Sequence, residues 1–185
     1  MLKKFRKNNT AASALEFALI APVLFILIFA ILEITSVMLA TAVMENAVRT
    51  ASRMGITGYT PVGVTRDTYI QQLVKDNMLY LNPNSVVFST LVYDSFANIG
   101  KPEPYTDSNG NTIYNIGEPY TDINGNGQWD PDMGASGAGG AGAIVVYEVQ
   151  YPWQIITPLL SRFFPTNGQI NITASMVVRN EPYDN

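Results

Sequence analysis

The sequence predicts an α+β protein. We expect a long N-terminal transmembrane helix that continues into a small domain with a second helix and a three-stranded antiparallel sheet, into which an acidic calcium-type loop is inserted. An uncharged apolar run at residues 17–32 predicts the transmembrane helix. Segments rich in β-branched and aromatic residues at 86–93, 144–151 and 170–178 predict the strands. A repeat at residues 103–133 predicts the acidic loop.

The apolar run and its charged flanks indicate a membrane anchor. Its 16 residues are too few to cross a bilayer by themselves, because they cover about 24 Å of a hydrocarbon core that is about 30 Å thick. The span therefore needs apolar residues from both flanks, which places Glu16 or Glu33 at a membrane boundary, where a carboxylate needs a partner or an interfacial position. Basic residues at Lys3, Lys4, Arg6 and Lys7 precede the span. The cationic side stays in the cytoplasm, so we expect residues 1–11 to be a basic cytoplasmic leader.

Three interpretations of this start remain open. An ordinary signal peptide has the same basic head and apolar core, and Ala40-Thr41-Ala42 would supply a cleavage site of the A-x-A kind. A simple uncleaved anchor explains the same pattern. The third interpretation depends on Glu16, which follows small residues and directly precedes the apolar run, where a signal peptide gains nothing from a charge.

The segments that favour the third interpretation are residues 12–22 (ASALEFALIAP), Leu32-Glu33 and residues 45–53 (ENAVRTASR). Together they resemble the TadE-like pseudopilins of tight-adherence (Tad) pilus systems, in the type IV pilin superfamily. The resemblance implies that a prepilin peptidase cuts the leader between Ala11 and Ala12. It also implies that Glu16, fifth in the mature chain, acts in assembly. The family usually has glycine before the cut, where this chain has Ala11.

The resemblance implies a minor pilin or pseudopilin that takes part in Tad-type pilus biogenesis and surface adhesion. Such a protein crosses the bacterial inner membrane once, with its N-terminus cytoplasmic and its domain periplasmic, and is incorporated into a pilus or its base. Its partners would be other Tad pilins and assembly proteins. The alternative is a membrane-tethered calcium-binding adhesin or sensor domain unrelated to pili.

Composition excludes several other functions. Beyond the leader, 7 basic and 15 acidic residues remain, and so acidic a body is not expected to bind nucleic acid. The chain has no cysteine and no histidine, which excludes a disulfide framework, a Cys/His zinc site and thiol or imidazole catalysis. With no nucleophile motif or cofactor fingerprint in the sequence, we expect no enzyme.

The body has predictable elements. We expect residues 12–55 to form the transmembrane and spine helix, ending near Met54, and residues 56–185 to form the extracytoplasmic domain. Thr65 is expected to cap a second helix that ends near Tyr80. In the last strand apolar and polar residues alternate, which predicts a sheet with one face exposed to solvent and the other packed against the core. Residues 157–164 are expected to form a short helix.

The acidic loop repeats with a period of 15 residues. Glu103-Pro104-Tyr105-Thr106-Asp107 returns as Glu118-Pro119-Tyr120-Thr121-Asp122, and Asn109-Gly110-Asn111 returns as Asn124-Gly125-Asn126. The loop carries six carboxylates and no basic residue. Residues 134–142 follow, too poor in side chains to pack, and are expected to be a flexible linker.

The spacing within each repeat resembles an EF-hand calcium loop, which places oxygen ligands at its first, third, fifth, seventh, ninth and twelfth positions and glycine at its sixth. The first repeat supplies Asp107, Asn109, Asn111, the Ile113 carbonyl, Asn115 and Glu118, with Thr112 in place of the glycine. The second supplies Asp122, Asn124, Asn126, the Gln128 carbonyl and Asp130, but has Met133 at the twelfth position and Asp132 one residue early. The sequence therefore predicts one or two calcium ions. The alternative is a turn-rich acidic loop whose Asn and Asp side chains stabilise their own turns.

Overall fold

The structure is a computed structural model that describes residues 9–182. The leader charges at Lys3, Lys4, Arg6 and Lys7 lie outside the described residues. The chain divides into two compact units, each built from two stretches of sequence. Unit 1 comprises Met1–Ala40 and Trp153–Ile170, and unit 2 comprises Thr41–Pro152 and Asn171–Asn185.

Helix α1 extends from Asn9–Ile56 and contains Pro22. By length and composition its segment Ala12–Ile56 could cross a membrane, and it is the one helix within residues 9–182 that could. Its end is two residues beyond the predicted end at Met54. The predicted long N-terminal apolar helix is confirmed.

Helix α2 spans Arg66–Asp76, and Thr65 caps it as predicted, its hydroxyl accepting a hydrogen bond from the Thr68 backbone N–H. The helix ends four residues earlier than the predicted end at Tyr80. Asn77 is the reason, because its side-chain amide donates to the Leu73 carbonyl at 2.8 Å and satisfies a carbonyl of the last turn.

Four strands form one antiparallel sheet in the described part of the chain. They are β1 (Val87–Tyr93), β2 (Ala135–Ser136), β3 (Ile144–Gln154) and β4 (Gln169–Arg179), in the spatial order β2-β1-β3-β4. The register of β1 against β3 places Val87 opposite Gln150 and Tyr93 opposite Ile144. The predicted count of three is wrong by one, because β2 is a two-residue strand in the glycine-rich segment.

The prediction that residues 134–142 are too poor in side chains to pack is wrong. The lack of side chains is what lets their backbone approach the sheet: a Cβ on Gly134 would lie 2.7 Å from the Tyr93 ring. The Asn180 side-chain amide donates to the carbonyls of Ala138 and Gly140, at 3.0 and 2.9 Å. The segment is therefore part of the folded domain.

The core of unit 2 joins the second half of α1 to α2 and the sheet. Its fully buried members include Met44, Ala47, Val48 and Ala51 of α1, Ile70 and Val74 of α2, and Val145, Tyr147 and Val149 of β3. At the end of α1 only glycine fits, because a Cβ on Gly55 would clash with the Tyr147 ring. The helix is the spine of this unit.

The burial of β4 alternates as predicted near its start. Ile172 and Ala174 are buried, and Thr173 between them is exposed.

Unit 1 combines the first part of α1 with the stretch Trp153–Ile170, which runs from the last residues of β3 to the first residues of β4. This segment contains two single-turn helices, α3 (Pro158–Ser161) and α4 (Pro165–Gly168). The prediction of one short helix over residues 157–164 is therefore wrong in extent, because Pro165 at the start of α4 fixes a second turn.

Candidate functional site

The two acidic repeats pair with each other. Tyr105 and Tyr120 form an antiparallel bridge, and the backbone N–H groups of Thr106 and Thr121 donate at 2.8 Å to the carbonyls of Pro119 and Pro104. Equivalent residues of the two repeats thus meet, which relates the loops by an approximate two-fold axis. In this register the first Asp of each loop lies opposite a Glu of the other repeat segment: Asp107 opposite Glu118, and Asp122 opposite Glu103.

The first loop is closed by its own carboxylates. Asp107 accepts the backbone N–H groups of Gly110 and Thr112 at 2.6 and 2.7 Å. Glu118 accepts those of Ser108 and Asn115 at 2.9 and 2.8 Å. The remaining predicted ligands also form hydrogen bonds within the loop. The Asn109 side-chain oxygen accepts the Asn111 backbone N–H, and the Asn111 side-chain oxygen accepts the Ile113 backbone N–H. The Asn115 side-chain amide donates to the Ile113 carbonyl.

The second loop is closed from outside by Glu103, a residue that the sequence pattern did not assign to it. Glu103 is 0% exposed, and its carboxylate accepts the backbone N–H groups of Ile123 at 2.7 Å and Asp130 at 3.1 Å. Asp122 accepts those of Gly125 and Gly127 at 2.7 and 2.9 Å. The 15-residue repeat could have identified Glu103 as a residue of this kind, because the repeat aligns Glu103 with Glu118.

Other predicted ligands of the second loop line one open cleft of about 430 Å³, namely Asn124, Asn126, Asp130 and Asp132. The amides of Asn124 and Asn126 donate to Asp130 at 2.8 and 2.6 Å. Asp132, the substitute for Met133 at the twelfth position, accepts the Tyr93 hydroxyl at 2.8 Å. The Gln128 backbone N–H donates to the Asn126 side chain at 2.8 Å.

Carboxylates alone do not build a metal centre here. Within residues 9–182, no group of three or more His, Cys, Asp or Glu side chains is placed to hold a metal ion. An ion in either loop would depend on one or two carboxylates together with amide and carbonyl oxygens, which are ligands that calcium accepts.

Four aromatic side chains give the paired loops a small core of their own. Tyr114 stacks on Trp129 with ring centroids 4.3 Å apart, and Tyr105 and Tyr120 meet this pair edge-on. The Trp129 indole N–H donates to the Glu103 carbonyl at 2.9 Å. The repeat region is therefore held by apolar contacts as well as by its turns.

The surroundings of Asp107 and of Tyr93 shift the pKa values of these two side chains. The backbone N–H of Thr112, followed by other N–H groups of the loop, lowers the pKa of Asp107 by stabilising its charged form. Burial, reinforced by the neighbouring Asp132, raises the pKa of Tyr93 to about 12.

In unit 1 the carboxylate of Glu33 is a buried acceptor, 8% exposed. It accepts the Trp153 indole N–H at 3.1 Å, the Ile156 backbone N–H at 3.0 Å, and both the backbone N–H and the hydroxyl of Thr157 at 3.1 Å. The partner that the sequence required for Glu33 is thus the end of β3 and the residues that directly follow it. Beside this contact lies an apolar cleft of about 360 Å³, lined in part by Val37, Met38, Leu160 and Phe164.

The predicted processing and assembly residues lie at the start of α1. Ala11 and Ala12 are helical, and the side chains of Ala12 and Glu16 are exposed. The family model of the TadE-like proteins matches residues 11–53. This segment is TadE-like. It includes Glu16 and Glu33, and the match confirms, over these residues, the resemblance inferred from the sequence. In comparisons with curated proteins and with solved structures, nothing matches the chain.

Proposed function

We propose that this chain is a membrane-anchored pseudopilin or minor pilin that takes part in Tad-type pilus biogenesis and surface adhesion. The TadE-like match over residues 11–53 carries the proposal. The apolar helix in which it lies supports an inner-membrane anchor with the N-terminus in the cytoplasm and the domain in the periplasm. Deleting the gene should lower piliation and attachment, and the full-length gene should restore both. Unchanged piliation would contradict the proposal.

A first part of the proposal concerns the leader, which a prepilin peptidase would cut between Ala11 and Ala12. Intact-mass measurement of the chain from strains with and without the peptidase tests the cut. Ala11→Gly is the informative variant, because it restores the residue that the family usually has and should be cut at least as completely. Equal masses in the two strains for both forms would refute processing.

A second part concerns Glu16, which would pair with the freed amine of Ala12 on its own or a neighbouring chain during assembly. A carboxylate and an ammonium that share a low-dielectric environment cost less to bury together than either does alone. Glu16→Ala should leave the chain in the membrane fraction but lower its co-purification with other Tad pilins. Glu45→Gln, an exposed acid on the same helix, is the matched control. If both variants co-purify with the other Tad pilins equally well, Glu16 has no role in assembly and is only an interfacial residue.

A third part is that the paired loops bind calcium. The oxygen-bearing side chains in EF-hand spacing support it, as does the position of Glu103 and Glu118 at equivalent places in the two loops. Extracytoplasmic sites bind calcium at about 10⁻⁴–10⁻³ M, and we expect this range. Asp107→Ala and Asp122→Ala should each remove one ion in calorimetric titration of the detergent-solubilised full chain. If calcium gives no heat and no rise in melting temperature, the loops bind no calcium.

The calcium-type loops lie outside the TadE-like segment, and they favour the second candidate function, a membrane-tethered calcium-binding adhesin or sensor unrelated to pili. The two candidates differ in the mature N-terminus and in partners. An intact Met1, together with unchanged piliation in the deletion strain, would favour the adhesin or sensor. A mature chain beginning at Ala12 would favour the pseudopilin.

A further inference from the structure

We infer that residues 153–164, which Glu33 holds against α1, form a lipid-contacting surface at the outer face of the bilayer. We name these residues the docking segment. The inference rests on the proposed membrane anchor and adds a second contact with the membrane. All of the residues that carry it lie in unit 1.

The thickness of a bilayer places Glu33 at its boundary. A hydrocarbon core of about 30 Å accommodates about 20 helical residues. A core that begins at Ala12 ends near Ile31, and one that begins at Phe17, directly after Glu16, ends near Ser36. Both end points lie within one helical turn of Glu33. The groups that donate to its carboxylate, on Trp153, Ile156 and Thr157, therefore lie at the same depth.

The docking segment exposes large apolar side chains at this depth. Ile156 is 70% exposed and Phe163 is 77% exposed, and Leu159 and Phe164 are also exposed. Exposed apolar clusters on soluble surfaces mark sites of interaction. Phe164 of this cluster lines the same cleft as Ile34 of α1, which is 60% exposed and lies within the span that ends near Ser36. Continuity with that span identifies lipid as the occupant.

The polar groups of the docking segment suit a membrane interface. Trp153 is a residue type enriched at the headgroup level, and its indole N–H is held by Glu33. Arg162 is exposed between the apolar residues and can reach lipid phosphates while its stem lies along apolar surface. Glu33 is a positioning residue in this arrangement, because it fixes the segment through four donors and contacts no lipid itself.

Cysteine labelling tests this surface, since the chain contains no cysteine of its own. The full chain, carrying Phe163→Cys labelled with an environment-sensitive fluorophore, is reconstituted in vesicles of phosphatidylcholine and phosphatidylglycerol. Lipids with a doxyl quencher near the headgroup or near the middle of the acyl chain report depth. Leu159→Cys is a second site in the docking segment, Phe25→Cys reports the span, and Ser136→Cys is an exposed control in unit 2.

We expect the labels at Phe163 and Leu159 to be quenched more by the shallow quencher than by the deep one. The label at Phe25 should show the reverse, and the label at Ser136 should be quenched by neither. Adding Glu33→Gln should reduce shallow quenching at Phe163 and leave deep quenching at Phe25 unchanged, which distinguishes positioning from general unfolding.

The outcomes separate this inference from the proposed anchor. The lipid contact is overturned if the deep quencher acts on the label at Phe25 while the labels at Phe163 and Leu159 are as unquenched as the label at Ser136. That result leaves the anchor intact. An unquenched label at Phe25 refutes the anchor, and the inference with it. A different result also overturns the inference. If the label at Phe163 becomes protected from solvent as the protein concentration rises in detergent, and is not protected in dilute vesicles, the surface contacts a second copy of the chain.

Discussion

Glu103 and Glu118 make the same contacts in the two paired loops, although only Glu118 belongs to the loop that it closes. Glu118 accepts the N–H groups of the second and ninth positions of its loop, and Glu103 accepts those of the second and ninth positions of the other. The second loop therefore depends on a residue that precedes the first loop. This arrangement makes the two loops a single folding element.

The first prediction follows from this dependence. Glu103→Gln should lower the free energy of unfolding by about 1–3 kcal/mol, because the backbone N–H groups of Ile123 and Asp130 lose the buried, charged acceptor to which they donate. Melting of the detergent-solubilised full chain, followed by near-UV circular dichroism, measures the effect. Asp94→Asn, at an exposed acid after β1, is the control. If both variants melt at the same temperature, Glu103 does not hold the second loop.

A second prediction concerns the sixth position of each loop. Thr112 has φ of 63° where the equivalent Gly127 has 80°, so a β-branched residue occupies a conformation that costs about 1–2 kcal/mol. Thr112→Gly should stabilise the chain by about 1 kcal/mol, and Gly127→Thr should destabilise it by a similar amount. Paired melting curves measure both changes. If Thr112→Gly lowers the melting temperature, the threonine makes contacts that outweigh its strain.

The sequence was informative wherever one local signal decided the structure. The apolar run predicted α1, Thr65 predicted the start of α2, and the alternation in β4 predicted its buried face. It was less informative where the deciding contact is distant in the chain. Pairing of Tyr105 with Tyr120 brings Glu103 to the second loop, and no spacing within a loop reveals this.

The glycine-rich segment shows a second kind of limit. Low side-chain content predicts flexibility when a segment stands alone. Here the same feature permits close approach to Tyr93, and Asn180 supplies the hydrogen bonds. Whether glycine loosens or tightens a segment thus depends on the partner that its backbone meets. The Glu33 contact is intermediate, because the sequence required a partner for this carboxylate and could not identify residues 153–157.

The third prediction is a dependence of stability on acid pH. The Thr112 backbone N–H, with other N–H groups of the loop, holds the folded-state pKa of Asp107 below its ordinary value. The stabilising contribution of Asp107 is therefore present above that ordinary value and is lost as the pH falls through the folded pKa. Asp107→Asn should therefore reduce the loss of stability below about pH 4. Denaturation midpoints at several pH values measure the slope. If the stability of Asp107→Asn declines at acid pH as steeply as that of the unsubstituted chain, Asp107 does not have this role.

The fourth prediction concerns alkaline pH. The pKa of Tyr93 is raised to about 12 from 10.0, so between these values the unfolded chain loses the phenolic proton while the folded chain keeps it. Stability should fall as the pH rises through this window. Tyr93→Phe removes the titration and should flatten the alkaline decline, at the cost of the hydrogen bond to Asp132. Absorbance titration of tyrosinate in the folded chain provides the direct measurement, and a Tyr93 that ionises near its ordinary pKa would contradict the burial argument.

The last prediction concerns the contact between Glu33 and residues 153–157. Glu33→Gln replaces one acceptor oxygen by a donor amide that faces the N–H groups of Trp153, Ile156 and Thr157. Hydrogen bonds to charged groups contribute about 1.5–3 kcal/mol, and we expect a loss in this range. In a Trp129→Phe background the remaining indole is Trp153, whose emission should shift to the red and become more accessible to iodide in detergent solution. Glu45→Gln on the same helix should change neither property, and unchanged Trp153 emission in Glu33→Gln would show that the segment is held by its apolar contacts alone.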